Sequence, residues 1–455
     1  MTQASEIFPG RHRRTAELAR QLVHILSGTW AYLLRWSGPL PLILLALSAL
    51  VFNLWGLPRV GGRWLWRDHE VAAGRAVGVV LYPLTVLVLL AVFWRRPEIA
   101  AAGWTLLAFA DGMATVVGKL RGGRPLPWNP DKTWAGFGAY LVVGWAAVLS
   151  TLLWVAPGRY EMPAVALVAV IVSALGALLE STPQNLDDNL GVPILAAIFL
   201  WCCLESLSGW SQLLAPVFLQ RLATGLAVNV ALTILATRLA TLSRGGALAA
   251  CLVGTLVWAC LSWSGYAVLV TFFVLGSGAT KIGHGTKRRL RLAQGRGGRR
   301  RAANALANGG VAAACAVFAL LTPHTSLFIF AFACSLAAAA ADTAESEIGQ
   351  IWGRPTWLIT TLRAVPAGTD GGVSIVGTVA GWLAAALTVG VGGVLGLYPL
   401  SAIGPLSLLA LAATLAESVV GATLERAGWL DNHGVNFVNT LLAALLGAGW
   451  ASIMG

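Results

Sequence analysis

The stretch DGMATVVG, Asp111 to Gly118, sets an acid, a hydroxyl residue and a glycine at relative positions 0, 4 and 7, and DTAESEIG, Asp342 to Gly349, repeats those residue types at the same offsets. Positions four apart share a helix face, so Asp111 is presented with Thr115 and Asp342 with Ser346. Each stretch closes an apolar run, and this decides the fold: the period is helical, the setting is a membrane span, and the unit occurs twice.

Around these stretches the 455 residues are 57% hydrophobic and only 11% charged. Apolar runs repeatedly reach the roughly 20 residues that cross a bilayer core, which removes the soluble enzyme classes. A lipid-facing backbone must satisfy its own hydrogen bonds, so the spans are helices. Candidate spans lie near 17–35, 38–57, 72–94, 98–118, 134–155, 162–180 and 191–207, then near 245–261, 264–280, 304–321, 327–348, 373–394, 403–424 and 435–453, with one more at 222–242. The expected fold is an all-α polytopic integral membrane protein of about 15 transmembrane helices, in two seven-span repeats joined by a linker span. An odd-span unit repeated directly would invert; the linker span restores orientation and makes the repeats parallel. The expected domains are 1–210, a linker at 211–243, and 244–455.

A formal net charge of +12 would suggest nucleic acid in a soluble protein. Here the basic residues sit in short loops beside spans, where the positive-inside rule accounts for them, and no nucleic-acid partner is expected. With the N-terminal Arg11, His12, Arg13 and Arg14 inside, the loops at Arg59–Arg67, Lys119–Lys132, Lys281–Arg301 and Arg354–Arg363 fall on the cytoplasmic side, and only Arg95 and Arg96 dissent strongly. No secretory signal peptide is evident near the start. Cys202, Cys203, Cys251, Cys260, Cys315 and Cys334 show no CxxC or Cys/His spacing, so neither disulfides nor a cysteine metal site is expected.

More matched stations follow each acid. A hydroxyl stands three residues before a glycine in NPDKTWAG, with Thr133 and Gly136, and in PAGTDGG, with Thr369 and Gly372. Glu180-Ser181 and Glu417-Ser418 come next, then LDDNLGVP, Leu186 to Pro193, and LDNHGVN, Leu430 to Asn436. Common order points to tandem duplication. Asp188 with Asn189, and Asp431 with Asn432, are expected at the rim of each site.

Asp111 and Asp342 stand at the ends of apolar helices, where an ionised carboxylate is costly unless paired, hydrated or bound to a cation. A lone helix-end acid is ordinarily a cap or an ion pair; two with one spacing favour a shared task. Hard oxygen donors of this kind suit Mg²⁺, which keeps several waters and bridges to phosphates. Glycine-rich stretches beginning at Gly118, Gly276 and Pro366, beside Lys119, Arg121, Arg124, Lys132 and Lys281, offer backbone amides to phosphate. The pattern is not a P-loop, and GxSxG, HExxH and a dinucleotide fingerprint are absent. Acid, phosphate loop and cations on one face together suggest phosphoryl transfer from a nucleotide. In ELARQLVHILSG, Arg20, His24 and Gly28 recur every four residues and share a helix face. Asn304 and Asn308 keep the same interval before the second acid.

These residues also carry a resemblance. From about Glu17 to Pro193 the chain resembles the CTP-dependent polyprenol kinases, the group of phytol and dolichol kinases, through ELARQLVHILSG, DGMATVVG with GRPLPWNPDKTWAG, and DDNLGVP. Gln21 departs from the Lys those proteins often carry. From about Ser243 to Gly455 it resembles a related transmembrane family that includes phytyl-phosphate kinase, through SRGGALAACLVG, GSGATKIG, RRRAANALANGG, ADTAESEIG, VPAGTDGGVSIVG and NHGVNFVNT, with Ala344 replacing a common aromatic. The resemblance implies that one half phosphorylates a lipid-embedded isoprenoid alcohol with CTP and Mg²⁺ and that the other phosphorylates the monophosphate. It implies an integral protein of a bacterial-type cell or thylakoid membrane. On this basis Asp111 and Asp342 are the metal-binding acids and His24 the assistant to alcohol deprotonation. Arg20, Thr115, Gly118, Lys119, Lys132, Thr133, Gly136, Asp188 and Asn189 serve the first nucleotide site. Lys281, Asn304, Asn308, Ser346, Glu347, Gly349, Thr369, Asp370, Gly371, Asn432 and Asn436 serve the second. The residues alone leave open another lipid kinase, a cytidylyltransferase, or a transporter built from repeats with the acids as ion sites.

Overall fold

The computed structural model describes residues 20–57, 59–60, 77–182, 188–238, 242–282, 302–427 and 429–454. The N-terminal basic cluster and most of the Arg59–Arg67 and Lys281–Arg301 loops lie outside them. The chain divides into two compact units, Met1–Leu204 and Glu205–Gly455.

Among the described residues, twelve helices are long and apolar enough to cross a membrane. They differ from the runs read in the sequence at three places. The runs near 245–261 and 264–280 form one element, Arg244–Lys281, bent where Ser262 takes φ 58° and ψ −155°. Residues 20–37 are helical but tighten to a 3-10 turn over Thr29–Leu33. The run near 72–94 carries the shorter apolar helix Gly78–Val92.

In each unit the helix carrying the acid is the inner one. Pro97–Arg121 and Thr325–Trp352 are the most buried of the twelve, whereas Pro39–Gly56 and Pro216–Arg238 are the least. Small residues explain the difference, since lipid offers no hydrophobic drive and helices associate where backbones approach closely. Ala337 to Ala341 are fully buried in the second unit, and Ala100, Ala101, Ala102 and Ala108 nearly so in the first. The linker span, Pro216–Arg238, belongs to the second unit, where buried Asn229 accepts a hydrogen bond from the Tyr266 hydroxyl at 2.9 Å.

Arg96, which breaks the charge rule, is committed locally. Its Nε donates to Oε1 of buried Glu98 at 2.8 Å, and Tyr160 donates to the same oxygen at 3.0 Å. Burial, then the Glu98 charge, push the Tyr160 hydroxyl up to about 12, so it stays a donor.

Short strands follow both acid-bearing helices. Pro125–Leu126 pairs antiparallel with Asn129–Thr133, and Thr356–Leu358 pairs with both Ala364–Val365 and Gly372–Val373. Each set delivers the chain to the next span through a hydroxyl N-cap: Thr133 Oγ1 accepts from Gly136 N at 3.2 Å, and Ser374 Oγ accepts from Gly377 N at 3.2 Å. The counterpart of Thr133 in this role is therefore Ser374. Thr369, matched to it by sequence, instead turns its hydroxyl onto the Pro366 carbonyl at 2.7 Å.

Candidate active site

Asp111 does not end its helix. It lies ten residues before Arg121, closing a π-helical turn over Leu106–Asp111, and Asp342 lies ten residues before Trp352. At about 1.5 Å per residue both acids stand roughly 15 Å inside their helices. π turns leave main-chain groups displaced from the usual ladder and often mark functional sites. Here the Leu107 carbonyl accepts a hydrogen bond from His24 Nε2 at 2.9 Å, and that nitrogen lies 3.9 Å from Asp111 Oδ2.

Two glycines permit this crossing. A Cβ at Gly28 would collide with Ala108 and Phe109, and one at Gly112 would meet Ile25 at 2.7 Å. His24 is held from behind by Tyr82, whose ring lies edge-on with centroids 4.4 Å apart. The Tyr82 hydroxyl accepts from Ser27 at 2.7 Å and from Trp104 Nε1 at 2.9 Å. Sequence reading missed this brace, which joins three helices.

The crossing opens on a cavity of about 350 Å³. Arg20, Gln21, His24, Asp111, Asn53 and Asn189 supply its polar lining, and Val23, Trp30, Leu45, Val79, Val86 and Trp104 much of its apolar wall. Four expected site residues, Arg20, His24, Asp111 and Asn189, thus meet in one place. Asn189 is fixed through its backbone carbonyl, which accepts from Thr85 at 2.8 Å. The side chain of Asp188 lies outside the description.

The remaining expected residues of this unit gather along the last turns of the Asp111 helix. Gly118 packs beside Thr133 and Gly136, and Lys132 donates from Nζ to Oε1 of buried Glu180. Lys119 is exposed at the helix end and Thr115 is half-buried.

In the second unit Ser346 stands one turn after Asp342, and Asp342 and Glu417 lie within electrostatic reach of each other and of Glu345 and Glu425. Glu345 is buried; Oε1 accepts from Thr378 at 2.9 Å and Oε2 has no hydrogen-bond partner. The sequence reading chose the half-buried Glu347. Three residues past Asp342 return a side chain to its face and five do not, so spacing could have selected Glu345. Asn308 is buried, donating to the Asn304 carbonyl at 2.9 Å. Asn436 is buried and Asn432 exposed beside Asp431, whose carboxylate accepts from Gly434 N at 2.8 Å as a helix cap. Gly371 abuts Ala422 and Ser418, carrying exposed Asp370 close enough for its charge to act on Glu425. Lys281 is exposed at a helix end, and Gly349 packs beside Ser374 and Gly377.

Among the described residues no three His, Cys, Asp or Glu side chains are grouped to hold a metal by themselves. Mg²⁺ does not require that; one or two carboxylates with phosphate and water is its ordinary environment. The unpartnered Glu345 oxygen beside Asp342 is a donor of that type.

Residues 4–183 match the cytidylyltransferase family, and residues 227–444 match integral membrane protein DUF92. The chain is 38% identical to the uncharacterized membrane protein sll0875 of Synechocystis sp., over 43% of this chain and 78% of that protein. It is 34% identical to protein VTE6, chloroplastic, of Arabidopsis thaliana, over 45% of this chain and 64% of that protein. It is 28% identical to phytol kinase 1, chloroplastic, of the same plant, over 39% and 63%. The chain spans a little under two thirds of the latter two. No solved structure matches. The chain belongs to this family of integral membrane proteins, joining a cytidylyltransferase-family domain to a DUF92 domain.

Proposed function

We propose that the protein is a bifunctional membrane prenol kinase. Its first unit phosphorylates an isoprenoid alcohol, phytol or geranylgeraniol, with CTP, and its second phosphorylates the monophosphate to the diphosphate. The two units arose by duplication, and their sites open toward the cytoplasm on one face of the membrane. The observation that carries this reading is the cavity in which His24 and Asp111 stand among apolar walls, as a lipid tail with one reactive polar end requires.

In the first unit the alcohol oxygen attacks the γ-phosphorus, the bond to the β-phosphate oxygen breaks, and the nucleoside diphosphate leaves. Mg²⁺ supplies charge neutralisation on the phosphates and would be held by Asp111, and by Asp342 with Glu345 in the second unit. With Nε2 donating to Leu107, neutral His24 keeps its lone pair on Nδ1, the atom that takes the alcohol proton. Arg20, Lys119 and the Gly118–Thr133–Gly136 turn face the phosphates. A monophosphate keeps its tail in the bilayer, so the intermediate passes laterally between units.

Supplying the purified protein with phytol or phytyl monophosphate, CTP and Mg²⁺, and measuring products by mass, tests this. Asp111→Asn should abolish alcohol phosphorylation and spare monophosphate phosphorylation, and Asp342→Asn should do the reverse. Loss of both activities in either folded variant overturns the two-site assignment. A cytidylyltransferase is the second reading, favoured by the family matched at residues 4–183. Labelled CTP separates the two: a kinase releases CDP, a cytidylyltransferase pyrophosphate.

A further inference from the structure

Gln21 follows Arg20 on the first helix and is 5% exposed, yet its Oε1 has no hydrogen-bond partner. A buried amide oxygen left unpaired loses its hydration without replacement, and such atoms in a native fold call for an explanation. The oxygen is not stranded in the apolar interior. Gln21 lines the cavity that holds His24 and Asp111, and its Oε1 lies 3.7 Å from the position a Cβ on Gly112 would take, next in sequence to Asp111. A Cβ there would make only ordinary van der Waals contact with the amide, so the oxygen is near the acid's backbone without being packed against it.

We propose that Gln21 Oε1 accepts a hydrogen bond from the hydroxyl of a neutral lipid alcohol in this cavity and makes Gln21 the residue by which the first unit selects a free hydroxyl. A carbonyl oxygen is an acceptor only, so it is satisfied by an O–H and not by an ether, an ester or an ionised phosphate. In the bound state the oxygen would hold the hydroxyl beside Asp111 while the hydrocarbon lies along Val23, Leu45 and Val86; the single hydroxyl proton then turns from Gln21 to His24 when phosphoryl transfer begins. Polar groups that stay unpaired with the wrong ligand discriminate more strongly than apolar walls, which distinguish single methylenes weakly. The proposal rests on the cavity being the alcohol site of the first unit.

Binding measures it without turnover. The full-length protein in lipid nanodiscs is titrated with phytol and with phytyl methyl ether, followed by tryptophan fluorescence. The wild type should bind the alcohol about tenfold more tightly than the ether, the increment of one hydrogen bond of about 1.4 kcal/mol. Gln21→Met, similar in shape and lacking the acceptor, should bind both alike, and Gln21→Glu, which keeps an acceptor, should retain the preference. Equal binding of alcohol and ether by the wild type, or an undiminished preference in Gln21→Met, overturns the role of Gln21. The first outcome requires no variant to fold. Kinase activity is measured separately, so a protein that discriminates the alcohol yet forms no phosphate defeats the kinase reading and leaves the Gln21 contact standing.

Discussion

Nε2 of His24 lies 3.9 Å from Oδ2 of Asp111. The imidazole is held there by the Leu107 carbonyl in front and the Tyr82 ring behind, so its place is set by the fold before any substrate arrives.

Replacing His24 with Ala should lower the turnover of alcohol phosphorylation by about 10²-fold, the usual range for a positioned acid–base group. Steady-state kinetics with folding checked by size exclusion measures this. A loss below threefold would remove His24 from the chemistry.

The Lys132–Glu180 pair sets a second expectation. Glu180 is buried, and removing its partner leaves a carboxylate uncompensated. Lys132→Met should cost about 2 kcal/mol, discounted for the partial exposure of the lysine. Adding Glu180→Gln should recover most of that in a thermal melt. If Lys132 also meets phosphate, the double variant regains stability and not activity.

The corrected partner of Thr133 can be checked by losing one hydroxyl at a time. Thr133→Ala and Ser374→Ala each remove an N-cap and should cost about 1 kcal/mol. Thr369→Ala should cost less, because its hydroxyl serves only a local turn. Equal losses at Thr369 and Ser374 would count against the cap assignment.

Gly377 and Gly390 offer a matched comparison within one helix. A Cβ at Gly377 would meet the Glu345 carbonyl at 2.9 Å, whereas one at Gly390 meets nothing within 4 Å. Gly377→Ala should destabilise by about 1–3 kcal/mol through overpacking, and Gly390→Ala should be neutral or better.

Most of the spans, and the helical setting of both acids, were legible because apolar length and helical spacing are local properties. Arg20 and His24 were legible for the same reason: residues four apart must share a face. Ser374 was not, since PAGTDGGVSIVG contains two hydroxyls each three residues before a glycine, and only the strand register shows which one caps the helix. The Tyr82–Ser27–Trp104 brace and the unpaired oxygen of Gln21 depend on three helices meeting, which no single segment encodes. The depth of the acids was hidden by polar residues after each one, which look like a helix end and are in fact further turns.

The π turn at Leu106–Asp111 has a consequence for evolution and engineering. One extra residue in a helix advances everything after it by about 100° around the axis. Asp111, Thr115 and Gly118 share a direction through their own helical spacing, and the π turn upstream sets where that common face points. Deleting one residue between Leu106 and Ala110 would leave every side chain of DGMATVVG intact in composition yet rotate the acid away from His24, so the functional phase of this helix can be switched by length alone.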